Sequence, residues 1–118
     1  MSRRQQRLNV LLQQEISELI QRELRDPRLA EIVTLTEVSI SPDMATATVY
    51  VSIMGDDDEK AETIKAIVHA APFVRRQLMG RLSSRRTPDI QFTLDESMEK
   101  AAHILDLMKH LPGTHPEA

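Results

Sequence analysis

The sequence predicts an α+β two-layer sandwich in which helices cover one face of a three-stranded sheet. Three observations predict it. One long stretch without Pro or Gly carries apolar residues at three- and four-residue steps; three short stretches hold β-branched or alternating residues; the remaining apolar residues return to helical spacing between and after those stretches. The predicted order is helix, strand, strand, helix, helix, strand, helix.

From Arg4 to Arg25 there is no Pro or Gly, and Leu8, Leu11, Leu12, Ile16, Leu19, Ile20 and Leu24 form the stripe of a long amphipathic helix. Asp26-Pro27 ends it, because the proline ring disfavours helical geometry in the preceding residue and supplies no amide hydrogen. Ile32 to Ile40 is rich in β-branched residues and reads as the first strand. Ala45 to Ile53 alternates, with Ala45, Ala47, Val49, Val51 and Ile53 on one face and Thr46, Thr48, Tyr50 and Ser52 on the other. Joined through Ser41-Pro42-Asp43, the two strands form an antiparallel pair with one dry and one wet face.

Asp56, Asp57, Asp58 and Glu59 then place carboxylates at a helix start, where unpaired amides and the helix dipole favour negative charge. Ala61, Ile64, Ile67, Val68 and Ala71 are the stripe of that second helix. Pro72 interrupts it and suits the first turn of a third helix, whose stripe is Val74, Leu78 and Leu82. In the last strand Ile90, Phe92 and Leu94 face inward, and Gln91, Thr93 and Asp95 outward. Ser97 to Leu111 is a fourth helix with Met98, Ala101, Ala102, Leu105 and Met108 on one side. Residues 1–111 therefore read as one domain and 112–118 as a loose tail, as expected for a chain of 118 residues.

Composition removes several functional classes. Without Cys there is no disulfide framework, thiol nucleophile or thiolate metal site. The longest uncharged apolar-rich stretch, Ala66 to Val74, contains His69 and Pro72 and is far short of the ~20 residues a membrane-spanning helix needs. Gln5, Gln6, Gln13, Gln14 and Glu15 interrupt what would be the apolar segment of an export signal behind Arg3, Arg4 and Arg7, so a cytoplasmic protein is expected. His69, His103, His110 and His115 lack metal-ligand spacing, and the run Asp56 to Glu59 lacks the alternating ligands and turn glycine of a calcium loop. Gly55, Gly80 and Gly113 are isolated, which removes a glycine-rich phosphate loop, and no histidine lies near Ser39, Ser41, Ser83 or Ser84 in sequence. The expectation is a protein that is not an enzyme and uses no metal or cofactor.

The formal net charge of -3 conceals an uneven distribution. Residues 1–30 carry six Arg against four acids and residues 72–91 carry five Arg against Asp89, whereas residues 31–71 carry two Lys against eight acids and residues 92–118 two Lys against five. Both basic blocks use only arginine, whose planar fork fits phosphate oxygens in pairs. Base stacking on a sheet is not the expected source of affinity, since among Tyr50, Phe73 and Phe92 only Tyr50 lies on a wet strand face. The candidates are instead the arginines: Arg3, Arg4 and Arg7 at the start; Arg76, pointing away from Leu78; Arg75, flanking the stripe; Arg81, close enough to it for a salt bridge; and Arg85 and Arg86, in the connection to the last strand. The helix start at Pro72 to Val74 would add exposed amides for a phosphate.

Arg4, Arg7, Asp26-Pro27-Arg28-Leu29, Ser41-Pro42-Asp43, Ala47-Thr48-Val49-Tyr50-Val51-Ser52 and Phe73-Val74-Arg75 occur here in that order. Arg85, Pro88, Ile90, Phe92, Asp95 and Ser97 follow. In this order and spacing the chain resembles the bacterial ribosome-binding factor A family along nearly its whole length. The resemblance implies a type II KH domain and an RNA-binding factor that assists late maturation of 16S rRNA on the small (30S) ribosomal subunit, often in the cold. It also implies other assembly factors and GTPases as partners, and a monomer is expected. Arg4, Arg7, Arg28, Arg75 and Arg85 match the family pattern; Arg3, Arg76, Arg81 and Arg86 are added on charge alone. At the interhelical kink, Ala70, Ala71 and Pro72 stand at the family's Ala-x-Gly positions, with proline in place of glycine. The alternative is a protein-interaction adaptor that recruits maturation factors through its acidic strands and second helix.

Overall fold

Apolar residues three and four positions apart give a helix one face to bury, and the first segment buries it against a sheet. The computed structural model describes residues 2–22, 32–82 and 87–110. Helix α1 (Arg3–Arg22) buries Leu8, Leu12, Ile16, Leu19 and Ile20. Its first turn is closed by a reciprocal cap: the Gln5 amide donates to Ser2 Oγ (3.2 Å) and the Ser2 amide to Gln5 Oε1 (2.9 Å). The expected stop at Asp26-Pro27 and the tail 112–118 lie outside the described residues.

Strands β1 (Val33–Ile40) and β2 (Thr46–Ile53) pair antiparallel, and β3 (Asp89–Leu94) joins β2 in parallel, giving the order β1-β2-β3. In β2 the buried residues are Ala47, Val49, Val51 and Ile53, and in β3 they are Ile90 and Phe92. Strict alternation fails in β1: continued from Val33 it would turn Glu37 and Ser39 into the core. A bulge resolves the conflict, since Leu35 pairs with Val51 and Glu37 with Tyr50, leaving Thr36 unopposed. That extra residue returns Val38 and Ile40 to the buried face.

The hairpin turn is held by its own polar groups. The Met44 amide donates to the Ser41 carbonyl (2.8 Å), and Asp43 Oδ1 accepts from Ser41 Oγ (2.7 Å) and from the Ala45 amide (3.0 Å). These bonds hold Met44 at φ 61, a left-handed conformation uncommon for a side chain of its size.

Helix α2 (Asp57–Arg81) corrects the expectation of two helices parted at Pro72: it is continuous, with Pro72 inside it. An internal proline costs about 3 kcal/mol through its missing amide and its clash with the preceding turn. Ile67 lies on one side of it and Val74 and Leu78 on the other, all fully buried, each contributing roughly 1.5–3 kcal/mol by leaving water. Packing of both halves on one sheet therefore outweighs the local preference to break. Ala70 and Ala71 are half-buried and Pro72 is exposed at mid-helix, so no helix start exists there to offer free amides. Val68, expected in the stripe, is half exposed, and Ile64 and Ala71 pack against the core instead. The acidic run caps this helix as expected: the Glu59 amide donates to Asp56 Oδ1 (2.8 Å) and the Asp56 amide to Glu59 Oε1 (3.3 Å). Gly55, at φ 134, makes the turn into the cap.

Helix α3 (Ser97–Lys109) departs further from expectation. Its apolar side is uncovered, with Met98 77% and Leu105 59% exposed, and it buries no residue. Near its start it is tied to the body, where Lys60 Nζ donates to Glu99 Oε1 (3.2 Å) and the Ser97 amide to Asp95 Oδ1 (2.9 Å). Asp95 also accepts from the hydroxyl of the bulged Thr36 (2.6 Å), so one carboxylate joins the β1 bulge, the end of β3 and the start of α3.

Those bonds, the Thr36 hydroxyl foremost and then Ser97, lower the Asp95 pKa from 3.8 to about 2. A carboxylate held below its free value stabilises the fold above that value, and the contribution fades as pH falls towards the folded one. The Asp95 carboxyl carbon is expected to titrate by NMR near pH 2, and Asp95→Ala to lower Tm at neutral pH with a deficit that closes between about 3.8 and 2. An Asp95 midpoint at 3.8 would show that the bulge does not hold it.

Candidate nucleic-acid interface

The topology decides which arginines meet. Helix α1 lies along β1 in the opposite direction: Gln5 Nε2 reaches the carbonyls of Ser41 (3.4 Å) and Pro42 (3.3 Å) beyond the end of β1, while Asn9 Nδ2 donates to the Val38 carbonyl (2.8 Å). Arg3, Arg4 and Arg7 thus sit beside the hairpin turn, and all three are exposed. From that turn the contacts continue across the sheet. The Asp89 amide donates to the Ala45 carbonyl (2.9 Å), Thr46 pairs with Asp89, and Asp89 lies against Arg75 of α2. The start of α1, the turn, the start of β3 and the Arg75 turn of α2 therefore occupy one end of the molecule.

The opposite end gathers acids. The end of β2 leads into the cap at Asp56 and the start of α2, with Asp57, Asp58, Glu59 and Glu62. The end of β3 lies beside it, because the Asp95 amide donates to the Val51 carbonyl (2.7 Å), and it brings Asp95, Glu96 and Glu99. The acids of the α2 cap and Arg75 are separated by about 28 Å along the helix axis at 1.5 Å per residue. Screening at physiological salt acts over about 8 Å. The net negative charge therefore does not cancel the field at the basic end, and the two ends act as separate electrostatic surfaces.

The arginines at or near the basic end are not equivalent. Among the described residues Arg3, Arg4, Arg7 and the exposed Arg76 make no ion pair. Arg75 is engaged: Nη2 donates to the Thr87 carbonyl (3.1 Å), and Nε lies 3.3 Å from Asp89 Oδ1. That last contact is an ion pair without the alignment of a hydrogen bond, and the buried Nε–H has no acceptor among the described residues. Arg81 is engaged more firmly, its Nη1 donating to Glu15 Oε2 at 3.1 Å with both side chains only 25% exposed. It fastens α2 to α1, as its place beside the apolar stripe suggested. Arg28, Arg85 and Arg86 lie outside the described residues, and the kink positions Ala70, Ala71 and Pro72 lie mid-helix.

Several groups that build this end were not singled out from the sequence: Gln5 and Asn9, which anchor α1 to the turn and the β1 edge, and the carboxylates Glu15 and Asp89. The Ser2-x-x-Gln5 spacing of a capping box was visible; the long-range partners leave no local signal. Among the described residues no group of acids and histidines is placed to hold a metal ion, and no helix is long and apolar enough to cross a membrane.

A hairpin covered by one helix, a crossover helix and a parallel third strand define an α+β protein of the KH-like kind. The chain belongs to the ribosome-binding factor A family, whose model matches residues 4–108. It is 43% identical over 103 residues to ribosome-binding factor A of Acetivibrio thermocellus, spanning 87% of this chain and 84% of that one. The crystal structure of ribosome-binding factor A from Thermus thermophilus superposes with a TM-score of 0.65 at 28% identity, over 76% of this chain and 94% of that one. A homology model of the Thermus thermophilus factor, fitted into a cryo-EM map of its complex with the 30S subunit, gives a TM-score of 0.62 at 26% identity, over 76% of this chain and 93% of that one.

The Arg81–Glu15 pair makes its own prediction. Arg81→Gln and Glu15→Gln should each cost about 1–2 kcal/mol in urea unfolding, and the double variant little more than either alone. Fully additive costs would show that the two side chains are not coupled.

Proposed function

We propose that this chain binds the small ribosomal subunit and assists late maturation of its 16S rRNA by gripping the phosphate backbone of a folded RNA segment with its basic end. The observation that carries this reading is the group of exposed arginines, Arg3, Arg4 and Arg7, unpaired among the described residues, beside the hairpin turn of a chain whose other end is acidic. Membership of a family described as ribosome-binding supports it, as does the fit of a related factor into a map of a 30S complex. Arg76 and Arg75 extend the surface along α2, and Arg85 and Arg86, between α2 and β3 in sequence, join it on the strength of the family resemblance; Arg28, in the connection from α1 to β1, is not counted in it, and Arg81, committed to Glu15, contributes to the scaffold.

Phosphate contacts fix position and orientation rather than read bases. Binding of this kind favours whichever rRNA conformation presents its phosphates in the matching array, which is how a protein without catalytic groups can assist folding. The acidic end, repelled by RNA, faces away and leaves α2's start and α3 open to other assembly factors or GTPases in the cytoplasm. A protein-docking adaptor is the competing reading, favoured by the uncovered side of α3. Salt separates the two: affinity carried by several phosphates falls by orders of magnitude over a few-fold rise in salt, and affinity carried by apolar docking does not.

Arg4→Glu with Arg7→Glu should leave thermal unfolding nearly unchanged, because both side chains are exposed and unpaired among the described residues. It should weaken co-sedimentation with small subunits by about tenfold or more, the effect of losing ~1.4 kcal/mol. Retained co-sedimentation at moderate salt would remove the start of α1 from the interface.

A further inference from the structure

Residues 72–91 contain five arginines and a single acid, Asp89. That acid stands at the first position of β3, its side chain 74% exposed, with Oδ1 3.3 Å from Arg75 Nε. With its carboxylate largely in water the pair contributes little to stability, and among the described residues no other group is paired with that carboxylate. The backbone of Asp89 already makes the structural contact, its amide bonding to the Ala45 carbonyl. Pro88 beside it is fully buried and Thr87 holds Arg75 through its carbonyl, so the guanidinium keeps its place without the Asp89 side chain. Meanwhile the Nε–H is left without an aligned acceptor. Arginine presents five donors in a rigid fork, and the carboxylate beside it uses that fork badly.

We propose that Asp89 is an affinity-limiting residue of the RNA surface: in the free protein its carboxylate occupies the place on Arg75 that an RNA phosphate takes in the complex. This deepens the RNA-binding reading and rests on it. A phosphate carries more acceptor oxygens and pairs with the fork two bonds at a time, so it displaces the carboxylate when the rest of the surface holds it in register. An RNA that cannot satisfy Arg3, Arg4, Arg7 and Arg76 together gains too little at Arg75 to overcome both the displacement and the repulsion from the freed Asp89. The acid thus denies the Arg75 contact to a loosely held polyanion and makes a well-held RNA bear the displacement in full, so it restrains the affinity of every RNA that reaches this end.

The experiment compares the full chain with Asp89→Asn, Arg75→Gln and the double variant, binding purified small ribosomal subunits and, separately, poly(U), across a potassium chloride series. Asp89→Asn should tighten poly(U) binding about threefold to tenfold and subunit binding by a comparable factor or more. Its salt slope on poly(U) should steepen by about 0.7, the increment for one added phosphate contact on a single strand. The gain should vanish in the Arg75→Gln background, and thermal unfolding of Asp89→Asn should match the parent. An unchanged or weaker poly(U) affinity for Asp89→Asn overturns the proposal, leaving Asp89 as a structural partner of Arg75. An equal gain in the Arg75→Gln background also overturns it, because the effect would then be general removal of negative charge. A parent chain that binds small subunits with no salt dependence instead overturns the RNA-binding reading itself.

Discussion

The parallel pairing of β2 and β3 is the constraint from which the rest of the molecule follows. Antiparallel neighbours can be joined by a short turn, as β1 and β2 are, but parallel neighbours need a connection that runs back the full length of the sheet. Helix α2 supplies it: at 1.5 Å per residue the stretch from Asp57 to Arg75 covers about 27 Å, and an eight-residue strand about 26 Å. Arg75 accordingly arrives where β3 begins, and the requirement to span the sheet holds the helix through Pro72. Buried side chains on either side of the proline show which effect prevails: three of them stabilise by more than one proline costs.

The same crossover sorts charge. A helix carries partial positive charge at its start and partial negative charge at its end, so acids are favoured at Asp56 to Glu59 and arginines at Arg75, Arg76 and Arg81. Helix α1, running the other way, brings Arg3, Arg4 and Arg7 to the arginine end of α2, where its own dipole is unfavourable to them. That cost has no return within the isolated chain, as the three make no ion pair among the described residues. On the proposed function, their placement serves a partner with acceptor oxygens.

Much of the fold was legible in the sequence because the signals are local. The α1 stripe, the alternation of β2 and β3 and the acidic cap of α2 depend on residues a few positions apart. The bulge at Thr36 was not legible, because it is a compromise between two registers that becomes visible only when Val38 must face the same core as Val33. Pro72 misled for a related reason, since its local meaning is a break and tertiary packing overrides it. At the basic end the residue types were readable from the charge blocks, but their states were not. Helical spacing sets Arg81 beside the apolar stripe and Arg76 away from it, but the partner that engages Arg81, Glu15, lies 66 positions away. The uncovered side of α3 shows the converse, a clear amphipathic pattern whose apolar face the described residues leave open.

The central claim is that the RNA surface is one end of the molecule and not its sheet face or its acidic end. Backbone amide shifts of the labelled chain, followed by NMR while a 16S rRNA fragment that competes for subunit binding is added, test it residue by residue. Changes concentrated at Ser2 to Val10, Ser41 to Ala45 and Phe73 to Gln77, with Asp56 to Glu62 and α3 unmoved, are the expected outcome. Changes centred on the wet sheet face around Tyr50 and Thr93, or on α3, would contradict it.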